Sequence, residues 1–200
     1  MGAPLVEWAV AERALPGQSE SGDASVVVPL EGALLAAVVD GLGHGSEAAT
    51  AARVAIETLQ AHAGEPLEAL LRTCHQALLK TRGVVVSVAL FRAEDETVTL
   101  LGVGNVEGIL LRADPRKKRE TVLLRGGVVG YQLPPLRASV LAISPGDTLI
   151  LATDGVQSGF VSTLSPFGAP QSMADGLLAR YAKDSDDALA LVIRYLGRGP

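Results

Sequence analysis

The chain has 200 residues, 48% of them hydrophobic, and a formal net charge of −5. This composition predicts one domain over residues 1–200 with a well-filled core. The negative charge argues against nucleic acid binding, which needs clustered Lys and Arg against the phosphates. The apolar runs are shorter than the roughly 20 residues that span a bilayer, and acidic residues stand where a signal peptide would be apolar. We therefore expect a cytoplasmic protein that binds neither nucleic acid nor a membrane.

The first part of the chain predicts strands, and the hydrophobic period then changes to that of helices. Strands are expected at residues 5–15, 23–30 and 33–40. The tight link Glu31-Gly32 between the last two predicts a hairpin. From Ser46, apolar residues recur at helical spacing up to Gly64, and a second apolar stripe follows Pro66. Two neighbouring amphipathic helices are therefore predicted.

Beyond residue 83 the pattern again predicts mainly strands. They are expected at residues 84–92, 97–102, 107–112, 121–124, 139–143, 148–153 and 188–195, with one helix at 172–182 after a looser region. The basic segment 113–120 is interpreted as a solvated hairpin tip, with a protein-docking role as the alternative. Because strands and helices do not alternate as in βαβ units, the order favours an α+β fold with antiparallel sheets and helices on their outer faces.

Aspartates at strand boundaries are the candidate functional residues. Asp40 and Asp154 each end an apolar strand and precede a glycine, and Asp186 stands just before the last strand. Asp23 opens a strand. Carboxylate oxygens are the ligands that hard divalent cations prefer, and a few brought together from distant positions suffice. A glycine beside them would let a backbone carbonyl or a substrate approach a metal closely.

Taken alone, each Asp-Gly pair is better explained as a turn than as a metal site, because Asp-Gly is among the commonest turn dipeptides. A turn does not, however, require a strand that stays apolar up to the acid. That pattern occurs at both Asp40 and Asp154. Their shared context favours a metal site over two unrelated turns.

Other catalytic sites are poorly supported. The turn "GLGHGS" at residues 41–46 matches neither nucleotide-binding glycine motif and lacks the P-loop lysine. Cys74 lies on the apolar stripe of a helix and is interpreted as a packing residue. The chain has three histidines, which are hard to combine into a Ser-His-Asp triad or a zinc site. Only His44 is near the aspartates, and we expect it to hydrogen-bond its loop and not to act as a general acid.

Five motifs occur in an order that resembles a known family. They are "SGDA" at 21–24, "VDGLGHGSEA" at 39–48, "GVGNVEGILLR" at 102–112, "ISPGDTLILATDGV" at 143–156 and "DDALALVI" at 186–193. This series is similar to the metal-dependent protein phosphatases of the PPM (protein phosphatase 2C-like) superfamily, in its compact bacterial SpoIIE branch. The resemblance implies an αββα sandwich, in which two antiparallel β-sheets are flanked by helices.

By the same resemblance, the site would hold two ions, Mn²⁺ or Mg²⁺. Asp40 would bridge both ions, and the Gly41 carbonyl would complete one coordination sphere. Asp154 and Asp186 would hold the other ion, while Asp23 would act through water. Water activated between the ions would attack the phosphate, so no protein nucleophile would be needed.

The resemblance implies a serine/threonine protein phosphatase acting on a stress-signalling regulator, with phosphorylated STAS-domain proteins of a stressosome as the expected partners. A non-catalytic phosphoprotein-binding module on the same fold is the alternative, although such a module would normally have lost a metal carboxylate. The chain also departs from the family pattern. Leu189 stands where the family often has Thr, and Asn105 lies where an aspartate for a third metal would be expected. Arg13 is the nearest candidate for a phosphate-gripping arginine.

Overall fold

The computed structural model describes residues 4–163 and 167–197. The strands are β1 (Val6–Arg13), β2 (Asp23–Leu30), β3 (Ala33–Gly41), β4 (Val84–Arg92), β5 (Thr97–Val103), β6 (Glu107–Leu111), β7 (Glu120–Thr121), β8 (Leu124–Arg125), β9 (Ser139–Ala142), β10 (Thr148–Ala152) and β11 (Ala188–Tyr195). The helices are α1 (Ser46–Ala61), α2 (Leu67–Leu78) and α3 (Pro170–Tyr181), with a 3₁₀ helix at Ser158–Thr163. The elements follow the predicted order, with one exception described below.

The strands form two sheets. One has the order β1-β11-β10-β6-β7, and the other has the order β2-β3-β4-β5-β8, with β9 beside β5. The pairs are antiparallel apart from a two-residue parallel pair between β5 and β8. The predicted Glu31-Gly32 hairpin is confirmed, since Leu30 pairs with Ala33 at the closed end of β2 and β3.

The central strands are apolar on both faces because both faces are covered. In β3, Leu35, Ala37 and Val39 pack in the same cluster as buried residues of α1 and α2. The residues between them, at positions 34, 36 and 38, pack in the layer between the two sheets. Successive residues of a strand point to opposite faces, so a continuous apolar run is what a strand inside a multilayer sandwich requires.

The helices cover the outer faces of the two sheets. The buried face of α1 consists of four alanines and Leu59, and such small side chains let a helix lie close to a sheet. On the opposite side, Ala174 and Leu177 of α3 pack in one cluster with Ile150 and Val192 of the first sheet. The layers therefore run helix, sheet, sheet, helix, which is the αββα sandwich that was predicted.

The predicted single strand at residues 121–124 is wrong. The chain forms β7 on the first sheet and β8 on the second. Between them, the Val122 amide donates to the Gly108 carbonyl oxygen at 2.8 Å, and the Val122 side chain is buried between the sheets. This segment crosses from one sheet to the other, and a short apolar pattern does not distinguish such a crossing from a strand.

The basic segment 113–120 is confirmed as a hairpin tip. It connects β6 to β7, which pair antiparallel, and residues 115–119 are exposed. A separate finding concerns membranes: in the ranges that the structure describes, no helix is both long and apolar enough to cross a bilayer.

Candidate functional site

The topology brings the predicted aspartates to one edge of the sandwich. Asp40 lies near the end of β3 and is paired across the strands with Asp23, the first residue of β2. Asp154 follows β10 and Asp186 precedes β11, and these two strands are antiparallel neighbours in the other sheet. The end of one strand therefore lies beside the start of the next in both sheets, which places acids from four chain segments together.

Three of these acids line one pocket. The pocket has a volume of about 300 Å³ and is lined by Asp40, Leu42, Gly43, His44, Val85, Asn105, Asp154, Ser185 and Asp186. We call it the acid pocket. Asp23 is 6% exposed; it is the cross-strand neighbour of Asp40 and is not part of this lining. The structure thus places Asp40, Asp154 and Asp186 on a common surface, and their role as metal ligands stays a prediction.

Burial and mutual repulsion disfavour the ionised forms of Asp23, Asp40 and Asp186. Burial raises the pKa of Asp40 from 3.8 to about 8, and repulsion from Asp23, Asp154 and Asp186 acts in the same direction. Burial likewise raises the pKa of Asp23 to about 7, against the opposing effect of a hydrogen bond from Thr153. The pKa of Asp186 is also raised, mainly by burial. Such a cluster gains stability from any bound positive charge.

A hydroxyl group that sequence reasoning missed holds Asp23. Thr153 Oγ1 donates to Asp23 Oδ2 at 2.7 Å, with both groups buried. The Leu189 amide in turn donates to Thr153 Oγ1 at 2.9 Å. The family pattern often has Thr at position 189, and here a hydroxyl comes from the residue before Asp154. Because β10 and β2 belong to different sheets, only the packing of the two sheets against each other brings Thr153 to Asp23.

Two further side chains position Asp154. Asn105 Nδ2 donates to Asp154 Oδ2 at 2.7 Å, so the residue noted as a departure from the family pattern orients a carboxylate of the acid pocket. Lys183 Nζ donates to the backbone carbonyl oxygen of Asp154 at 2.5 Å. The sequence carried no signal for Lys183, because its contact depends on the turn between α3 and β11.

Asp187 has a structural role that separates it from its neighbour Asp186. Its side chain is buried and accepts hydrogen bonds from the amides of Leu15 and Gly22, both at 2.7 Å. The carboxylate therefore fastens the loop between β1 and β2 to the start of β11. Of the two adjacent aspartates, only Asp186 lines the acid pocket.

The glycine after Asp40 is required by packing against a helix. A Cβ on Gly41 would lie 2.3 Å from the carbonyl oxygen of Ala48, far inside contact distance. The hypothesis that glycine here serves close approach to a metal stays a prediction, and packing gives a second reason for glycine, because the nearest neighbour is the backbone of α1. Gly43 has φ +91°, so its turn also favours glycine.

Two residues considered in the sequence analysis lie in different surroundings. His44 is exposed at the rim of the acid pocket. Arg13 donates from Nη2 to the Asp184 carboxylate at 3.1 Å and to the Lys183 carbonyl oxygen at 2.8 Å. Since Arg13 is engaged by the turn before β11 and does not line the acid pocket, the structure does not support it as the residue that grips phosphate.

The donor set fits divalent cations, although no closed cage is formed. Among the described residues, no group of three or more His, Cys, Asp or Glu side chains is already arranged to hold a metal ion. The ion pairs of the same residues do not involve Asp40, Asp154 or Asp186. Clustered oxygen donors that are not engaged in ion pairs suit a hard cation that keeps several waters.

The chain is similar to several known proteins. The family model of Stage II sporulation protein E (SpoIIE) matches residues 31–197. Phosphoserine phosphatase RsbX of Bacillus subtilis (strain 168) is 25% identical over 180 residues, which cover 90% of this chain and 89% of RsbX.

Two solved structures with the same fold are highly similar to the chain. One comes from work on the bacterial stressosome as a modular system adapted to control secondary messenger signalling. It is 29% identical, with a TM-score of 0.87 over 94% of this chain and 99% of that chain. RsbX in complex with magnesium has a TM-score of 0.85 at 24% identity, over 95% of each chain.

Proposed function

Because the chain belongs to the SpoIIE family, whose model spans residues 31–197, we propose that it is a metal-dependent serine/threonine protein phosphatase. The observation that carries this proposal is the acid pocket. Carboxylates from both sheets line a space of about 300 Å³, and the ion pairs of the described residues do not include them. Their burial and repulsion supply a physical reason to bind divalent ions.

The residues of the acid pocket would hold two ions, Mn²⁺ or Mg²⁺. Asp40, the carbonyl of Gly41, Asp154 and Asp186 are the proposed ligands, with water filling the remaining positions. When bound, such a pair of ions lowers the pKa of water and neutralises charge on the phosphoryl oxygens. The protein's contribution is to hold the ligands in place, and Asn105 does so for Asp154 through its 2.7 Å hydrogen bond.

Covalent catalysis by the chain's own nucleophile is not supported. The only cysteine, Cys74, is buried in the cluster between α2 and the second sheet, and burial raises the pKa of its thiol to about 12. A buried, protonated thiol is a poor nucleophile. Of the histidines, His62 is bound to Glu65 and His75 accepts from the Gly130 amide. Direct attack by water on the phosphorus agrees best with these residues.

The proposed substrate is a phosphorylated STAS-domain protein of a stressosome. Support comes from the likeness to RsbX, a phosphoserine phosphatase, and to a structure from work on the bacterial stressosome. A cytoplasmic location agrees with such a substrate and stays a prediction from the sequence. The alternative of a non-catalytic phosphoprotein-binding module has no specific observation in its favour, because Asp40, Asp154 and Asp186 all line the acid pocket.

Hydrolysis of p-nitrophenyl phosphate and of a phosphoserine peptide tests the proposal. We expect turnover of both with Mn²⁺ or Mg²⁺, and no turnover after addition of EDTA. Hydrolysis that persists in EDTA would contradict the metal-dependent mechanism. Binding of the phosphopeptide with no hydrolysis in either metal would favour the non-catalytic module.

A further inference from the structure

A cluster of exposed basic and apolar residues adjoins the acid pocket and is not used by the proposed chemistry. Lys80 and Arg82 line a second cavity, of about 390 Å³, together with the first turns of α1. Leu79 is 53% exposed and Tyr131 is 82% exposed. We call these four residues, Leu79, Lys80, Arg82 and Tyr131, the docking surface.

Arg82 places the docking surface next to the acid pocket. A Cβ on Gly43 would lie 2.6 Å from Arg82 Nη1, so the guanidinium lies directly against a glycine that lines the acid pocket. The Leu42 amide also donates to the Gly83 carbonyl oxygen at 3.1 Å. The loop after Asp40 and the segment that carries Arg82 are therefore fastened to each other.

The apolar members are held beside the basic ones by backbone contacts. Val84 and Val129 exchange two backbone hydrogen bonds of 2.9 Å. A Cβ on Gly130 would lie 2.6 Å from Leu78 Cβ and 3.2 Å from the Gly83 Cα. Tyr131 and Leu79 directly follow Gly130 and Leu78 in the chain, so this close contact holds the two exposed residues near each other.

The charges of this surface suit an acidic partner. Lys80 is exposed, and the ion pairs of the described residues do not include it. Arg82 pairs with Glu47, and both side chains are about half or more exposed, at 48% and 67%. An exposed pair of this kind contributes little to stability, so an incoming carboxylate can replace Glu47 at little cost.

On the basis of the proposed function, we propose that the docking surface binds the polypeptide that flanks the phosphoserine, and that it selects acidic flanking residues. The chain has a net charge of −5, and the acid pocket repels anionic segments until cations are bound. Basic groups outside the pocket attract the substrate without pairing with the proposed metal ligands. Tyr131 adds an exposed aromatic contact of the kind that often dominates binding energy at protein interfaces.

The test compares two phosphoserine peptides of equal length, one with glutamates and one with lysines around the phosphoserine. For the wild type we expect kcat/KM for the acidic peptide to be about tenfold higher, because Lys80 and Arg82 attract its glutamates and repel the lysines of the other peptide. In Lys80→Ala/Arg82→Ala the preference falls to about twofold or less, and in the wild type it weakens as ionic strength rises. Equal rates on both peptides in the wild type, or an unchanged preference in the double variant, would overturn the proposal.

A matched control removes the same charge elsewhere. Lys117 and Lys118 are exposed in the tip between β6 and β7. The other end of β6 is the one near the acid pocket, since Glu107 at that end pairs with Ala152. Lys117→Ala/Lys118→Ala should keep the wild-type preference. If it loses the preference as well, net charge is responsible and the docking surface is not. The single variant Lys80→Ala, at an exposed position, reports the same effect at smaller size if the double variant does not fold.

A binding measurement separates failure of this inference from failure of the proposed function. If the wild type hydrolyses neither p-nitrophenyl phosphate nor the peptides, the proposed function fails, and fluorescence anisotropy of the labelled peptides still measures docking. Tighter binding of the acidic peptide that is lost in Lys80→Ala/Arg82→Ala supports the docking surface. Equal binding of both peptides by the wild type refutes it. Tyr131→Ala should weaken both peptides by the same factor, because its contact does not depend on charge.

Discussion

Replacement of Asp40 by Asn is expected to change stability and activity in opposite directions. The folded protein raises the pKa of Asp40 from 3.8 to about 8. Between these two pH values the folded state retains a proton that the unfolded chain has released. The raised pKa of Asp40 does not affect stability below pH 3.8 and lowers stability progressively as the pH rises to about 8. The reason is that rising pH favours the state that binds fewer protons, which in this range is the unfolded state.

The size of the effect follows from the difference between the pH and the ordinary pKa of 3.8. Each pH unit corresponds to about 1.36 kcal/mol, so at pH 7 the folded state loses up to about 4 kcal/mol from this one group. At pH 5 the same calculation gives about 2 kcal/mol. Asn cannot ionise and removes this cost, although Asp23 still lies beside it. We therefore expect Asp40→Asn to stabilise the metal-free protein by about 1–3 kcal/mol at pH 7, and by less at pH 5.

The assay is urea denaturation in EDTA at pH 5 and pH 7, repeated with Mg²⁺. Mg²⁺ should stabilise the wild type more than Asp40→Asn, because the variant lacks a proposed ligand. The phosphatase activity of Asp40→Asn in Mg²⁺ should fall by about 100-fold or more. Asp95→Asn serves as the control, since Asp95 is exposed and its stability should change by less than about 0.5 kcal/mol. A metal-free Asp40→Asn protein that is less stable than the wild type at both pH values would refute the reasoning.

Two further predictions concern residues that hold the site together. Gly41→Ala should lower the free energy of unfolding by about 3 kcal/mol, because its Cβ would lie 2.3 Å from the Ala48 carbonyl oxygen. Thermal denaturation measures this change. Gly64→Ala is the control and should be nearly neutral, because nothing lies within 4 Å of the new Cβ. Asp187→Ala should destabilise the protein by about 2–4 kcal/mol, since two backbone amides lose the buried carboxylate that accepts their hydrogen bonds. Asp184→Ala is the control, because the Asp184 side chain is 89% exposed. Equal melting temperatures for the two variants would contradict the role given to Asp187.

Much of the architecture could be predicted from the sequence because it is encoded locally. The hairpin at Glu31-Gly32, the helix that begins at Ser46 and the long apolar strand β4 all follow from turn residues and hydrophobic period. The strand predicted at residues 121–124 failed for the same reason. A local pattern reports that Val122 is buried, and it does not report which sheet its neighbours join.

The candidate site likewise has features that the sequence predicts and features that depend on the fold. The sequence by itself determined that acids follow apolar strands at Asp40 and Asp154, because the order of residue types is a local property. Only the tertiary structure decided that Thr153 donates to Asp23, 130 residues away, and that Asp187 fastens a loop while Asp186 lines the acid pocket. These contacts join segments of the two different sheets, so they depend on how the sheets pack against each other, which only the folding of the whole chain sets.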